Sequence, residues 1–274
     1  MAARILTVNA DDFGFTPGVN RGILHCHLHG ILTATTLMAN GQAFGDAVSL
    51  ALSHPSLDVG AHLVLVQGRS LVSGDPLPQS VAQLVRALAL RRIDPCTELR
   101  AQIEAILAAG IRPTHLDTHK HTHLLPPVLD AVLRLAQDYR IPWLRRPFDL
   151  PLPASTRPVP ASVRLARRAM AAVERRFERR IRSQGVRTPD HFAGFQWTGR
   201  FTAEDVASLV RSLPPGVTEF MTHPGFCDEE LRLAPTRLKE SREAELKVLT
   251  DPRVRDALLE AGVRLAGYAD LCAT

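Results

Sequence analysis

The sequence contains no apolar run approaching the ~20 residues needed to cross a bilayer. Its opening stretch, Met1 to Asp12, is apolar over too few residues for a secretory signal and runs straight into acids. A soluble, cytoplasmic protein is expected. Cysteine is sparse: Cys26, Cys96, Cys227 and Cys272 lie far apart, with no CxxC pair and no zinc-knuckle spacing. Buried free thiols are therefore expected in place of a disulfide framework. No GxGxxG or P-loop pattern follows the first apolar run, which argues against a nucleotide-binding fold. Internal repeats and low-complexity tracts are absent too.

What is present suits a globular domain. The 274 residues are 45% apolar and 22% charged, ample for a large core. The net charge of +5 and the pI near 9.4 arise from one segment. Ten arginines and two acids, Glu174 and Glu178, lie between Arg157 and Arg187, a local +8 that leaves −3 elsewhere. No nucleic-acid motif accompanies this charge, so no nucleic-acid partner is expected.

Short β-branched runs at 4–10, 31–38, 57–66, 111–119, 141–146, 191–195, 217–222 and 263–268 read as strands. Helical patterns lie between them, at 18–29, 43–53, 80–91, 95–109, 126–139, from about 202, at 239–249 and at 252–261. This alternation predicts an α/β fold with a parallel sheet, because parallel strands need helical crossovers. A TIM-like (β/α) barrel of seven or eight mainly parallel strands fits the length best, with a doubly wound open sheet as the alternative. One domain is expected over 1–274. Pro151, Pro153, Pro158 and Pro160 mark the start of a basic helical insertion at about 151–190.

The polar residues fall in an ordered way. Asp11 and Asp12 end the first strand, His62 sits near the end of the third, and His223 follows 217–222. His115, Asp117, His119, His121 and His123 run off the fourth. Barrel enzymes build their sites on this face. Residues two apart on a strand share a side, so His115, Asp117 and His119 align inward, where an apolar core would not tolerate them unpaired. A metal or a polar pocket is implied. His25 and His29, four apart on a helix, belong to the opposite face and are set aside.

Asn9-Ala10-Asp11-Asp12-Phe13-Gly14, Gly60-Ala61-His62-Leu63 and Thr114-His115-Leu116-Asp117-Thr118-His119-Lys120-His121-Thr122-His123 resemble the signature blocks of the YdjC-like carbohydrate deacetylases. That family includes diacetylchitobiose deacetylases and relatives associated with hopanoid biosynthesis. The resemblance continues through residues 30–41 and resumes weakly at His223-Pro224-Gly225 and Arg242-Glu243-Ala244-Glu245-Leu246. It implies a distorted (β/α) barrel, one divalent metal ion, and removal of an N-acetyl group from an amino sugar. By the same resemblance Asp12, His62 and His119 would be metal ligands and Asp11 the catalytic base.

The chemistry needs such residues. An amide is a poor electrophile and neutral water a poor nucleophile; a metal on two imidazoles and a carboxylate leaves room for both reactants. Zinc suits this donor set, and magnesium, manganese, cobalt or nickel are also accepted. His223, from the far side of the mouth, is the candidate acid for the leaving amine. Asp117, on the same strand face as His119, could orient the imidazole of a ligand histidine. Arg145, His121 and His123 are candidate sugar contacts. A metal-dependent phosphoesterase and a non-catalytic sugar-binding barrel are the competing readings.

Within the basic segment, Val163, Ala166, Met170, Val173, Phe177 and Ile181 recur at helical spacing, with arginines around the rest of the circumference. Such a helix packs on the barrel or against a second subunit in a homodimer, or its charged face over 163–182 meets an anionic membrane. The acetylated sugar would then be a free chitooligosaccharide or a lipid-linked N-acetylglucosamine.

Overall fold

The computed structural model describes residues 3–151 and 159–271. Pro153, Arg157, Pro158 and Cys272, singled out in the sequence, lie outside the described residues. Among the described residues there are eight strands: β1 (Arg4–Phe13), β2 (Ala34–Leu37), β3 (Asp58–Leu63), β4 (His115–Thr118), β5 (Trp143–Leu144), β6 (His191–Ala193), β7 (Gly216–Thr222) and β8 (Arg264–Leu265). Every pairing is parallel, in the order β5-β4-β3-β2-β1-β7-β6. The sheet curls until its edges meet, where Leu144 N–H donates to Arg187 O (2.9 Å) and Leu150 N–H to Phe192 O (2.8 Å). The result is the distorted barrel that the alternation predicts.

β8 departs from regular barrel order. It pairs with Ile5 and Leu6 of β1, on the edge that β2 takes over from Asn9 onward. Two short strands therefore share one side of β1, while β7 runs along the whole other side from Arg4 to Ala10.

Six of these strands are shorter than their sequence patterns suggest, because apolar residues continue into the turns, whereas β1 runs on to Phe13 and β7 starts one residue early, at Gly216. Helices match closely. Thr16 caps Pro17–His29 by accepting the Val19 N–H, and a reciprocal Thr202–Asp205 capping box opens Ala203–Ser212. The basic helix expected as an insertion spans Ala161–Arg182 and is the connection between β5 and β6. Phe177 and Ile181 are buried, and Phe177 meets Phe148 edge-on at 5.3 Å. Among the described residues no helix is long and apolar enough to cross a membrane. Cys26 and Cys227 are buried free thiols, whereas Cys96 is half-exposed.

Along β1, Leu6, Val8 and Ala10 join the main apolar core, while Thr7, Asn9 and Asp11 alternate with them and are also buried. The barrel interior is layered. At its base Ala34, Trp143, Ala266, Tyr268 and Leu271 form a separate apolar plug. Above it His115 stacks on Tyr268 at 3.9 Å and its Nε2 meets Asn9 Oδ1 at 3.0 Å. Gly60 makes room for this ring, since a Cβ there would lie 2.5 Å from it. The polar residues that the sequence places near strand ends stand on this layer.

Candidate active site

In a regular strand Asp11 and Asp12 would point to opposite faces. The β1–β2 register shifts between Ala10 and Phe13, and Asp12 adopts a left-handed backbone with φ 69°. This bulge brings both carboxylates to the same end of the barrel. The second turn works similarly. β4 stops at Thr118, and Lys120 and His121 take left-handed φ values of 56° and 52°. His119 thus reaches the cluster from a tight turn, where the sequence suggested the strand itself.

Asp12, His62 and His119 converge. Asp12 Oδ1 is 3.4 Å from His62 Nε2 and 3.4 Å from His119 Nδ1, and the two ring nitrogens are 3.2 Å apart. Behind them His62 Nδ1 contacts Asp117 Oδ1 at 2.7 Å, which turns Nε2 toward Asp12. Thr36 and Arg145 hold the other Asp117 oxygen. Burial opposes charge on His62, but Asp117, Asp12 and Asp11 override it and raise its pKa to about 10. The cluster is therefore built to hold positive charge.

Asp11, His62 and Asp117 form a second group with converging ligand atoms. A guanidinium already serves it. Arg145 Nη1 lies 2.7 Å from Asp11 Oδ2 and 2.6 Å from Asp117 Oδ2, and Nη2 lies 2.6 Å from Asp11 Oδ1. Arg145 Nε donates to Glu219 Oε1 at 2.7 Å. Burial alone would raise the pKa of Asp11, yet Arg145 holds it well below the usual carboxylate range. Asp12 is likewise held low against burial, by Arg242 and by the two imidazoles.

A cavity of about 870 Å³ opens over the cluster, and Asp11, Asp12, His119, His121 and His223 contribute to its wall. His223 Nε2 lies 3.8 Å from Asp11 Oδ2. Burial lowers the His223 pKa to about 4, although Asp11 and Asp12 oppose this. Its ring is thus neutral near pH 7.

The YdjC-like protein family model matches residues 5–260. The chain belongs to this family. It is 36% identical to a carbohydrate deacetylase of Geobacillus stearothermophilus over 97% of this chain and 98% of that one. It is 32% identical to a carbohydrate deacetylase of Brevibacillus brevis, over 97% and 99% of the respective chains. A solved structure from Enterococcus faecalis V583, provisionally assigned to cellobiose-phosphate cleavage, is 26% identical with a TM-score of 0.73, covering 98% of this chain and 99% of that one.

In this YdjC-like chain the structure brings Asp11, Asp12, His62, Asp117, His119 and His223 together. Two expected sugar contacts are placed elsewhere. Arg145 is fully buried, its guanidinium taken up by Asp11, Asp117 and Glu219. His123 is fully buried as well, its Nδ1 2.6 Å from Thr118 Oγ1 and its ring against Phe177. His121 does line the cavity.

Three site residues escaped the sequence reading. Arg242 donates to Asp12 Oδ2. Glu245, one turn along the same helix, accepts the His223 N–H and the Gly199 N–H, each at 2.5 Å. Glu219 was visible only as a lone acid in the apolar run 217–222. For Arg242 and Glu245 the signal was the weak resemblance at residues 242–246, which assigned no role.

Proposed function

We propose that this chain is a metal-dependent hydrolase that removes the acetyl group from an N-acetylated amino sugar, either a chitooligosaccharide or a lipid-linked N-acetylglucosamine. The observation that carries the reading is the Asp12–His62–His119 cluster on the floor of a sugar-sized cavity, with ionised Asp11 beside it. Relatives named carbohydrate deacetylases match it over nearly their whole length.

The donor set fits a divalent ion. Ligand atoms bound at about 2.1 Å with tetrahedral or octahedral angles stand roughly 3.0–3.4 Å apart. The three donor separations here are 3.2, 3.4 and 3.4 Å. Asp12, His62 and His119 would hold the ion, and mixed imidazole–carboxylate ligation suits zinc, magnesium, manganese, cobalt or nickel. Arg145 between Asp11 and Asp117 favours one ion over the two or three of many phosphoesterases.

When bound, such an ion acidifies water and polarises the acetyl carbonyl. Asp11 accepts the proton of the attacking water; Arg145 keeps this carboxylate ionised and fixes its orientation. His223 starts neutral, so it must gain its proton during turnover before giving it to the leaving amine from Nε2. The 3.8 Å separation from Asp11 Oδ2 makes Asp11 the near source. Glu245 holds the His223 backbone, and Arg242 keeps Asp12 turned toward the histidines.

The test is direct. Metal-loaded protein is incubated with N-acetylglucosamine oligomers and with p-nitrophenyl phosphate. Acetate release without phosphate release is expected; phosphate release alone would overturn the reading.

A further inference from the structure

The helix Ala161–Arg182 separates its charges by face. Its two acids, Glu174 and Glu178, turn inward to Arg146, so they do little to neutralise the outward side. Val163, Ala166, Met170 and Val173 are half-buried, and Phe177 and Ile181 are buried, which fixes the face against the barrel. At about 100° per residue, Arg164, Arg168, Arg175, Arg179 and Arg182 fall within roughly 60° of one another on the opposite face. All five are exposed. The row is about 27 Å long at 1.5 Å per residue.

Arg164 donates to the Val159 carbonyl, and Arg182 shares Glu178 with Arg146. The side chains of Arg168, Arg175 and Arg179 make no hydrogen bond or ion pair among the described residues. Like charges set in a row repel one another, and an anionic surface relieves that repulsion. The cations are all arginines, whose forked donors match phosphate oxygens. Beside the row Leu165 is 68% exposed, and Ala169 and Ala172 are exposed with it. Near the start of the helix Arg167 and Met170 flank a small hollow with Phe195, a residue that also lines the large cavity.

We propose that this face docks the protein on a bilayer of anionic phospholipids, with the arginine row on the headgroups and Leu165 at the acyl boundary. The shape favours a bilayer over a nucleic acid. The row lies on one face of a single helix, and among the described residues no exposed aromatic side chain interleaves with it to stack on bases.

Co-sedimentation of the full chain with phosphatidylcholine vesicles, with and without phosphatidylserine, tests the proposal. Binding is expected only to the phosphatidylserine vesicles, strong at low salt and weakened at high salt. The triple variant Arg168→Gln/Arg175→Gln/Arg179→Gln should bind on the order of a hundredfold more weakly, with unchanged thermal midpoint and unchanged turnover of a soluble acetylated oligosaccharide. A control variant, Arg91→Gln/Arg92→Gln/Arg112→Gln, removes three exposed charges elsewhere and should bind like the parent. The proposal is overturned if the parent ignores phosphatidylserine at low salt, or if the two triple variants lose binding equally. It is also overturned if short RNA displaces the protein at concentrations matching those of its phosphate-bearing lipid.

Discussion

Arg145 grips Asp11 through two parallel hydrogen bonds, of 2.7 and 2.6 Å, from inside the barrel. The same guanidinium reaches Asp117 and Glu219. One buried cation therefore offsets three buried carboxylates, and its removal leaves them facing one another. Arg145→Met should lower stability by about 3–5 kcal/mol, measured by urea denaturation. Arg145→Lys keeps the charge but loses the fork, and acetate release should fall at least about tenfold. Full activity in the lysine variant would show that fork geometry is dispensable.

The ligand assignment separates binding from chemistry. His62→Ala and His119→Ala should each lose bound metal and activity together, read by elemental analysis beside the acetate assay. Asp11→Asn should keep its metal and lose ~10²-fold or more in rate, the scale of a missing general base. Full metal occupancy in both histidine variants would remove the assignment.

Asp117 touches neither the cavity nor Asp12, yet it sets the direction of the His62 ring. Asp117→Asn should weaken metal affinity by about 10- to 100-fold, measured by competition with a chelator. An unchanged affinity would show that packing alone holds the ring.

Glu245 links stability to pH. Burial raises its pKa to about 7 in the fold, although the N–H groups of His223 and Gly199 favour its charge. The unfolded value is about 4.3. A carboxyl whose folded pKa is raised costs stability as pH rises from the unfolded value to the folded one, on the order of 3 kcal/mol in all. The thermal midpoint of Glu245→Gln, compared with the parent at each pH, should therefore climb between pH 4.5 and 7 and level off above. A pH-independent difference would show that Glu245 titrates normally.

The strand–helix alternation and the clustering of polar residues at strand ends were legible because both follow from local periodicity. His62 is a short side chain on a strand, so its register nearly determines its position; Asp12 and His119 reach it only through the β1 bulge and the turn after β4, and the family resemblance, not periodicity, singled them out as a set. Arg145 was misplaced because a long side chain at a strand end can turn to the mouth or to the interior. Only the three acids spread over β1, β4 and β7 decide that, and their convergence is tertiary. Arg242 and Glu245 sit on a helix more than 200 residues from Asp12, marked only by the weak resemblance at 242–246, which gave them no role. His123 was drawn into the site by its neighbours in sequence, whereas the left-handed pair Lys120 and His121 turns the chain so that His123 points down.

The three-way pairing of β1 also bears on the order in which the protein assembles during synthesis. β1, β3 and the turn after β4 carry all three ligand-type residues within the first 119 positions, so this half of the barrel can align them early. The other edge of β1 waits for β7, and the lower part of its β2 edge waits for β8, both more than 200 residues downstream. Until those strands emerge from the ribosome β1 remains an open, adhesive edge, and closure of such distant pairs is slow. Arg242, His223 and Glu245 arrive with the same late segment, so the nascent chain has its ligand-type side chains and Asp11 before His223 and the two residues that hold Asp12 and the His223 backbone.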